Sequence, residues 1–527
     1  MAGRKLISLV LLVLLAQSVA TGPSRVEAAS ASPPPGSAPG WWVVPGAPEP
    51  PLPSVYNQDE YREVVFLTGE AVPLTGKRLL TTGSSRGGVI TSRISYRLEN
   101  PTLNVSLTRN LSLTTRSEKT PVKDQTSLVT TVDRFAETVT AGGVRYRLES
   151  YELSSASVED HRPGVNYAPG NWSERRVYSI NRSEGTVEIL GSGRTVGYRN
   201  QWGSTQTTVG DYTVQYQRTI PAAVAAGATG AGATGAGASS QNVNWLATAH
   251  FDASSSHLRR VEALRPDPVT SSLADGYLLR DWDERVLRLN WDLPAFDATG
   301  TLRSGARNPG GLELQLSTNP ALQRLPVPDL VDVNGHWARE EIEKLHGLGI
   351  LLSPGETFGP TLPMTRGEFT AALARTLGLA PAPSSSGAGS KASTFEDVPL
   401  GDPQYRLITA ATAEGIVQGV EQRVFFPEGP LTRAQAVTMI VRSLGLQYRS
   451  DLASRTPYRD DAEIPAWARD PLYIATTLGL VRGDSDGAVL PGRVLTKGEA
   501  TALLDRLIHL LGDRMRLEYR YGVINYR

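Results

Sequence analysis

Leu362-Pro363-Met364-Thr365-Arg366-Gly367-Glu368-Phe369 decides the C-terminal fold, because the chain writes this stretch three times. Pro430-Leu431-Thr432-Arg433-Ala434-Gln435-Ala436 and Val494-Leu495-Thr496-Lys497-Gly498-Glu499-Ala500 repeat it, about every 65 residues. Upstream of each copy stands an Asp (Asp332, Asp397, Asp460), then a Gly (Gly349, Gly415, Gly479) that precedes the Thr by 16, 17 and 17 positions. Similarity at a fixed period marks one supersecondary unit that buries its apolar face against its own copies.

Each unit predicts helix, loop, helix. In the first helices Trp337, Ala338, Ile342 and Leu345 form a stripe, matched by Ile408 and Ala411 and by Trp467, Ala468, Leu472 and Ala475. The following Gly suits a helix end, where φ turns positive. In the second helices Phe369, Leu373 and Leu377 align with Ala436, Ile440 and Leu444 and with Ala500, Leu504 and Ile508. Spacing i, i+4, i+8 is a core-facing stripe.

Thr followed three residues later by Glu or Gln predicts a capping box: Thr365 with Glu368, Thr432 with Gln435, Thr496 with Glu499. The box does not explain the residue after the Thr, which is Arg366, Arg433 and Lys497. The helix dipole is positive at that first position and disfavours a cation. Three cations there point to an anion, held between the side chain and free helix-start amides.

The pattern Asp-Val…His-Trp-Ala…Gly-Ile…Thr-Arg-Gly-Glu resembles the surface-layer homology domain, in three tandem copies over 328–380, 394–447 and 456–512. The resemblance implies an all-α pseudo-threefold module that binds a secondary cell-wall polysaccharide carrying pyruvate ketals, and so fastens exported proteins to peptidoglycan. A ketal carboxylate suits Arg366, Arg433 and Lys497. The resemblance adds Trp337, Trp467, Gly419 and Gly483 to the polysaccharide-binding set. The copies depart from the pattern in places. Asp402, Pro403 and Gln404 replace His-Trp-Ala in the second, Lys497 replaces Arg in the third, and Ser353 stands where Gly419 and Gly483 stand elsewhere. One or two working grooves are expected rather than three, since Lys lacks the fork of Arg.

Arg4 and Lys5 precede the apolar run Leu6–Ala16, and Ser18-Val19-Ala20 offers a cleavage site, with a second after Ala28. This reads as a secretory signal over 1–20, too short to span a membrane. No later stretch is apolar enough for a spanning helix. A Pro/Ala/Ser-rich tether covers 21–55, including Trp41 and Trp42, which suit an anchoring strand or a sugar contact. The chain has no Cys, which excludes disulfides, thiol catalysis and a lipidated cysteine. Formal net charge is zero over 527 residues, so nothing points to nucleic acid or an anionic membrane.

Residues 56–320 change texture. Runs such as Ile90–Leu98, Leu103–Leu113, Val144–Leu153, Arg176–Ile180, Tyr212–Arg218, Asn242–Phe251 and Arg285–Trp291 concentrate Val, Ile, Thr and Tyr, with breaks at Asn181–Gly185 and Gly191–Gly193. They predict an all-β sandwich or barrel, as one split domain or two small ones, interrupted by the Ala/Gly/Thr-rich insert 222–240. A similar flexible connector, Ala380–Ser393, joins the first two repeats, and a basic, aromatic tail covers 513–527. The β region shows no catalytic motif. Glu159-Asp160-His161 reads as a loop, Asp281, Asp283, Glu284 and Asp292 as a solvated acidic turn, and His250 with His257 lacks metal spacing. No cofactor or metal is expected. Asn104, Asn110, Asn171 and Asn181 lie in glycosylation sequons. The expectation is a non-enzymatic, wall-anchored envelope protein with a structural outer part, self-association being left open. The alternative is an anchored carbohydrate-active enzyme or glycan-binding effector.

Overall fold

The computed structural model describes residues 52–515, apart from 53, 84, 328, 354 and the stretches 57–59, 122–123, 221–239, 265–275, 298–300, 380–394 and 447–454. The signal, nearly all of the tether with Trp41 and Trp42, the low-complexity insert, the first connector and the tail from 516 lie outside the described residues.

Among the described residues, those from β1 (Ser54–Tyr56) to β15 (Ala321–Leu325) form one antiparallel sheet of 15 strands, mostly paired in chain order. The sheet is continuous on both sides of the insert. Its long strands show why the sequence works. In β4 (Val89–Asn100) and β5 (Val105–Thr120) burial alternates along most of each strand, with Ile94 opposite Leu111 and Leu98 opposite Leu107 on the buried face. The other face is Ser, Thr, Arg and Glu, the pattern of a sheet wetted on one side. The sheet curls until its early and late strands meet. Arg285 on β13 (Gly276–Phe296) donates to the Tyr56 carbonyl and stacks on the Tyr56 ring at 3.7 Å. A single curled sheet is closer to the barrel expectation than to two packed layers. The insert joins paired neighbours, β11 (Gly203–Ile220) and β12 (Gln241–Leu264), whose ends meet at Ile220 and Gln241.

Three readings need correction. Gly191–Gly193 does not break a strand but lies within β10 (Gly185–Asn200). These glycines make room for rings: a β-carbon at Gly191 would lie 2.4 Å from Tyr212, and one at Gly193 would lie 2.9 Å from Trp172. Asp281, Asp283 and Glu284 are in the middle of β13, not in a turn, and Glu159-Asp160-His161 ends strand β7 (Val144–His161). Asn104 and Asn181 sit at left-handed positions of turns, φ 51° and 44°, a conformation Asn tolerates.

Among the described residues the repeats form six α-helices: α1 (Arg339–Gly347), α2 (Arg366–Thr376), α3 (Tyr405–Ala413), α4 (Arg433–Ser443), α5 (Ala466–Thr477) and α6 (Lys497–His509). The second-helix stripe from Phe369 to Ile508 is buried throughout. Gly349, Gly415 and Gly479 end the first helices at φ 68–69°, where a side chain would strain. Backbone bonds then close the copies into a cycle. The Met364 amide donates to Leu495, Leu495 to Leu431 and Leu431 to Met364, at 2.9–3.0 Å.

The sheet does not stand apart from this module. Val165, Tyr198 and Trp202 are buried in the helical core. Trp202 Nε1 donates to the Thr376 carbonyl at 2.8 Å, the Gly164 amide to Ser443 at 2.7 Å and Asn200 Nδ2 to Leu511 at 2.8 Å. Thr376 and Ser443 are the last residues of α2 and α4, whose carbonyls lack intrahelical donors, and Leu511 lies in the π-helical turn that continues α6. The β part is therefore packed onto the helical module, its turns meeting the ends of the core helices.

Candidate functional site

The N-terminal ends of the same helices carry the motif. Each Thr accepts from the amide three residues on, and Glu368, Gln435 and Glu499 accept in return from the Thr amides at 3.0–3.1 Å. The preceding loops are held from a distance. Asp332 accepts from the amides of Phe358 and Gly359, Asp397 from Phe425 and Phe426, and Asp460 from Val489 and Leu490. These bonds fix a left-handed residue in each loop: Gly359 (φ 72°), Phe426 (φ 62°) and Leu490 (φ 51°).

The expected free amides are not there. Arg366 and Gly367 donate their amides to the carbonyls of Gly429 and Pro427, Arg433 and Ala434 to Arg493 and Pro491, and Lys497 and Gly498 to Leu362 and Pro360. Every helix start is thus plugged by the loop of the next copy in the cycle. Whatever binds an anion here does so with side chains.

The three cations lie in seams between copies. Arg366 is buried, stacks 4.8 Å over the Phe425 ring and donates to the Gln418 carbonyl, with Nε unpartnered. Burial and then Arg442 pull its pKa down. Arg433 donates to the Arg482 carbonyl at 2.7 Å, again with Nε unpartnered. Burial lowers its pKa and Glu499 works against that. Lys497 differs, since Nζ forms an ion pair with Glu368 at 2.7 Å.

Gly419 and Gly483 follow directly on the carbonyls that Arg366 and Arg433 reach. A β-carbon on Gly419 would lie 2.7 Å from the Glu421 and Val424 carbonyls, and one on Gly483 would lie 3.2 Å from backbone at Gly487. Ser353, which stands where the other copies have Gly419 and Gly483, has its Oγ 3.2 Å from His346 Nε2. Trp337 and Trp467 are 63% and 52% exposed, so the buried stripe starts one residue later, at Ala338 and Ala468. Their rings are available at the module surface. Sequence reasoning missed the Asp staples, although their recurrence was visible.

Three carboxyls are buried inside the sheet. Arg109 bridges Glu63 at 2.7 Å and Glu137 at 2.6 Å, and Arg176 pairs with Glu174 at 2.5 Å. Burial opposes ionisation of Glu137, but Arg109 outweighs it and holds the carboxyl below its ordinary pKa. The cavity beside Glu63, Glu137 and Arg176 measures about 20 Å³, room for roughly one water. Elsewhere in the sheet His257 is clamped between Asp281 at 2.7 Å and Asp283 at 2.9 Å, which raise its pKa to about 9. Among the described residues no His, Asp and Glu group suited to a metal ion is found.

Residues 330–370, 394–437 and 457–501 match the S-layer homology domain family. The chain is 29% identical over 185 residues to the amylopullulanase of Thermoanaerobacterium thermosulfurigenes, covering 34% of this chain and 10% of that protein. It is 27% identical over 180 residues to Exoglucanase XynX of Acetivibrio thermocellus (34% and 16%) and 23% identical over 205 residues to the Surface-layer 125 kDa protein of Lysinibacillus sphaericus (36% and 16%). The chain thus spans a sixth or less of the length of these relatives. Its C-terminal third is a tandem of three S-layer homology domains. The protein is a secreted protein of the cell wall and surface. No described helix is long and apolar enough to cross a membrane.

Proposed function

We propose that this protein is an envelope component held non-covalently to the wall by a pseudo-threefold module. The module grips the ketal carboxylates of a pyruvylated secondary polysaccharide through Arg366 and Arg433. The observation that carries this reading is the pair of arginines with unpartnered Nε groups in seams between copies. A carboxylate satisfies such donors in charge-assisted bonds. Gly419 and Gly483 keep the loops close, and the exposed Trp467 offers a face on which a sugar ring stacks.

The β part has a structural, displayed role. The enzyme relatives are matched over about a third of this chain, and their activities are not carried to it. Glycoside hydrolysis requires two carboxyls facing room for a sugar. Glu63, Glu137 and Glu174 are instead each tied to an arginine, and the cavity beside Glu63 and Glu137 holds about one water. Sedimentation with purified wall, native and stripped of its ketals by mild acid, tests the anchoring. The protein should pellet with the first and stay in solution with the second. Equal pelleting contradicts recognition of the ketal.

A further inference from the structure

We propose that the last residue of each capping box selects which seam admits an anion. Gln435 leaves the seam of Arg366 open as the principal site, and Glu368 closes the seam of Lys497. This inference rests on the reading that the seams take a carboxylate-bearing glycan.

The cycle sets the box residue of one copy opposite the first-turn cation of the copy before it. Lys497 faces Glu368 in this way and is paired with it at 2.7 Å. Arg433 has Glu499 as its neighbour, although Glu499 is also bridged by Arg493 at 2.5 Å. The third relation, fixed by the amides of Arg366 and Gly367 on Gly429 and Pro427, sets Gln435 opposite Arg366. Gln carries no charge, and among the described residues Arg366 has no ion pair. The residue is nonetheless buried, 9% exposed, with Nε unpartnered. Gln404 Oε1, packed against Gly367 of the same seam, is buried and unpartnered as well. An unpaired donor and an unpaired acceptor in one seam suit a ligand carrying a carboxylate and a hydroxyl. A buried cation without a counter-ion is costly, and a bound carboxylate supplies one. In the seam of Lys497 the same ligand must first displace Glu368.

The cap does not depend on this choice. Gln435 Oε1 accepts from the Thr432 amide at 3.0 Å, as Glu368 does from Thr365 at 3.1 Å. Exchanging Glu and Gln therefore changes charge and leaves the helix start intact. The probe is the methyl glycoside of a hexose bearing a pyruvate ketal, titrated calorimetrically into the full-length protein. Gln435→Glu should weaken binding at the principal site about tenfold, the size of one lost charge-assisted contact. Glu368→Gln should add a site that Lys497→Ala removes again. Unchanged affinity in Gln435→Glu, or no added site in Glu368→Gln, overturns the selection rule. If the selection rule fails while the parent binds and Arg366→Ala with Arg433→Ala abolishes binding, the wall-polymer reading still stands. A parent that does not bind the glycoside overturns both.

Discussion

Arg366 and Thr365 are neighbours with separable effects. Arg366→Ala should weaken binding to wall polymer by about 1.5–3 kcal/mol, the range of a hydrogen bond to a charged group. Thr365→Ala should act on stability instead, by about 0.5–2 kcal/mol from the lost cap. Affinity and thermal unfolding measured on both variants separate the two roles. Asp397 holds two amides and with them the left-handed Phe426, so Asp397→Ala should destabilise the module by about 2–4 kcal/mol, read by denaturant unfolding. The motif residues were legible because a cap is local, spanning three positions. The Asp staples were not, because their partners lie 26 to 30 residues downstream, beyond the reach of any local pattern.

At the scale of elements, β13 shows how context overrides composition. Four acidic residues within 281–292 look like a turn when read alone. In the sheet they are cross-strand partners of β12, where His257 faces Asp283 and Arg259 faces Asp281. The clamp on His257 gives a pH dependence with a definite sign. Its folded pKa, about 9, lies above the unfolded value near 6.5, so the clamp stabilises fully below 6.5 and fades as pH rises through 9. The difference in melting temperature between the parent and His257→Gln should shrink across that window. The strand pattern itself was legible through alternation, whereas the glycines of β10 depend on Trp172 and Tyr212 from neighbouring strands. The seam between sheet and helices was likewise invisible, because nothing in Asn200-Gln201-Trp202 announces a contact with residues more than 170 positions away. Trp202→Ala should cost about 3–5 kcal/mol, the usual loss for a buried Trp. Hydrogen exchange should then quicken at the end of α2.

The whole molecule has two ends. The sheet covers the C-terminal ends of α2, α4 and α6, and the cations lie at their N-terminal ends, about 16–20 Å away for helices of this length. In our account one end holds the wall and the other carries the sheet outward on a packed joint. A chain cut near residue 320 should keep its sheet circular dichroism and fail to bind wall. It should also bind an apolar dye, because Val165, Tyr198 and Trp202 lose their cover. N-terminal sequencing of the surface protein should find a start at Thr21 or near Ala29. The most direct test of the anchoring claim is retention on purified wall of the Arg366→Ala/Arg433→Ala protein beside the parent, across a salt series. The account predicts that the parent is retained and released as salt rises, and that the folded double variant stays in solution throughout. Retention of the double variant equal to that of the parent would contradict it.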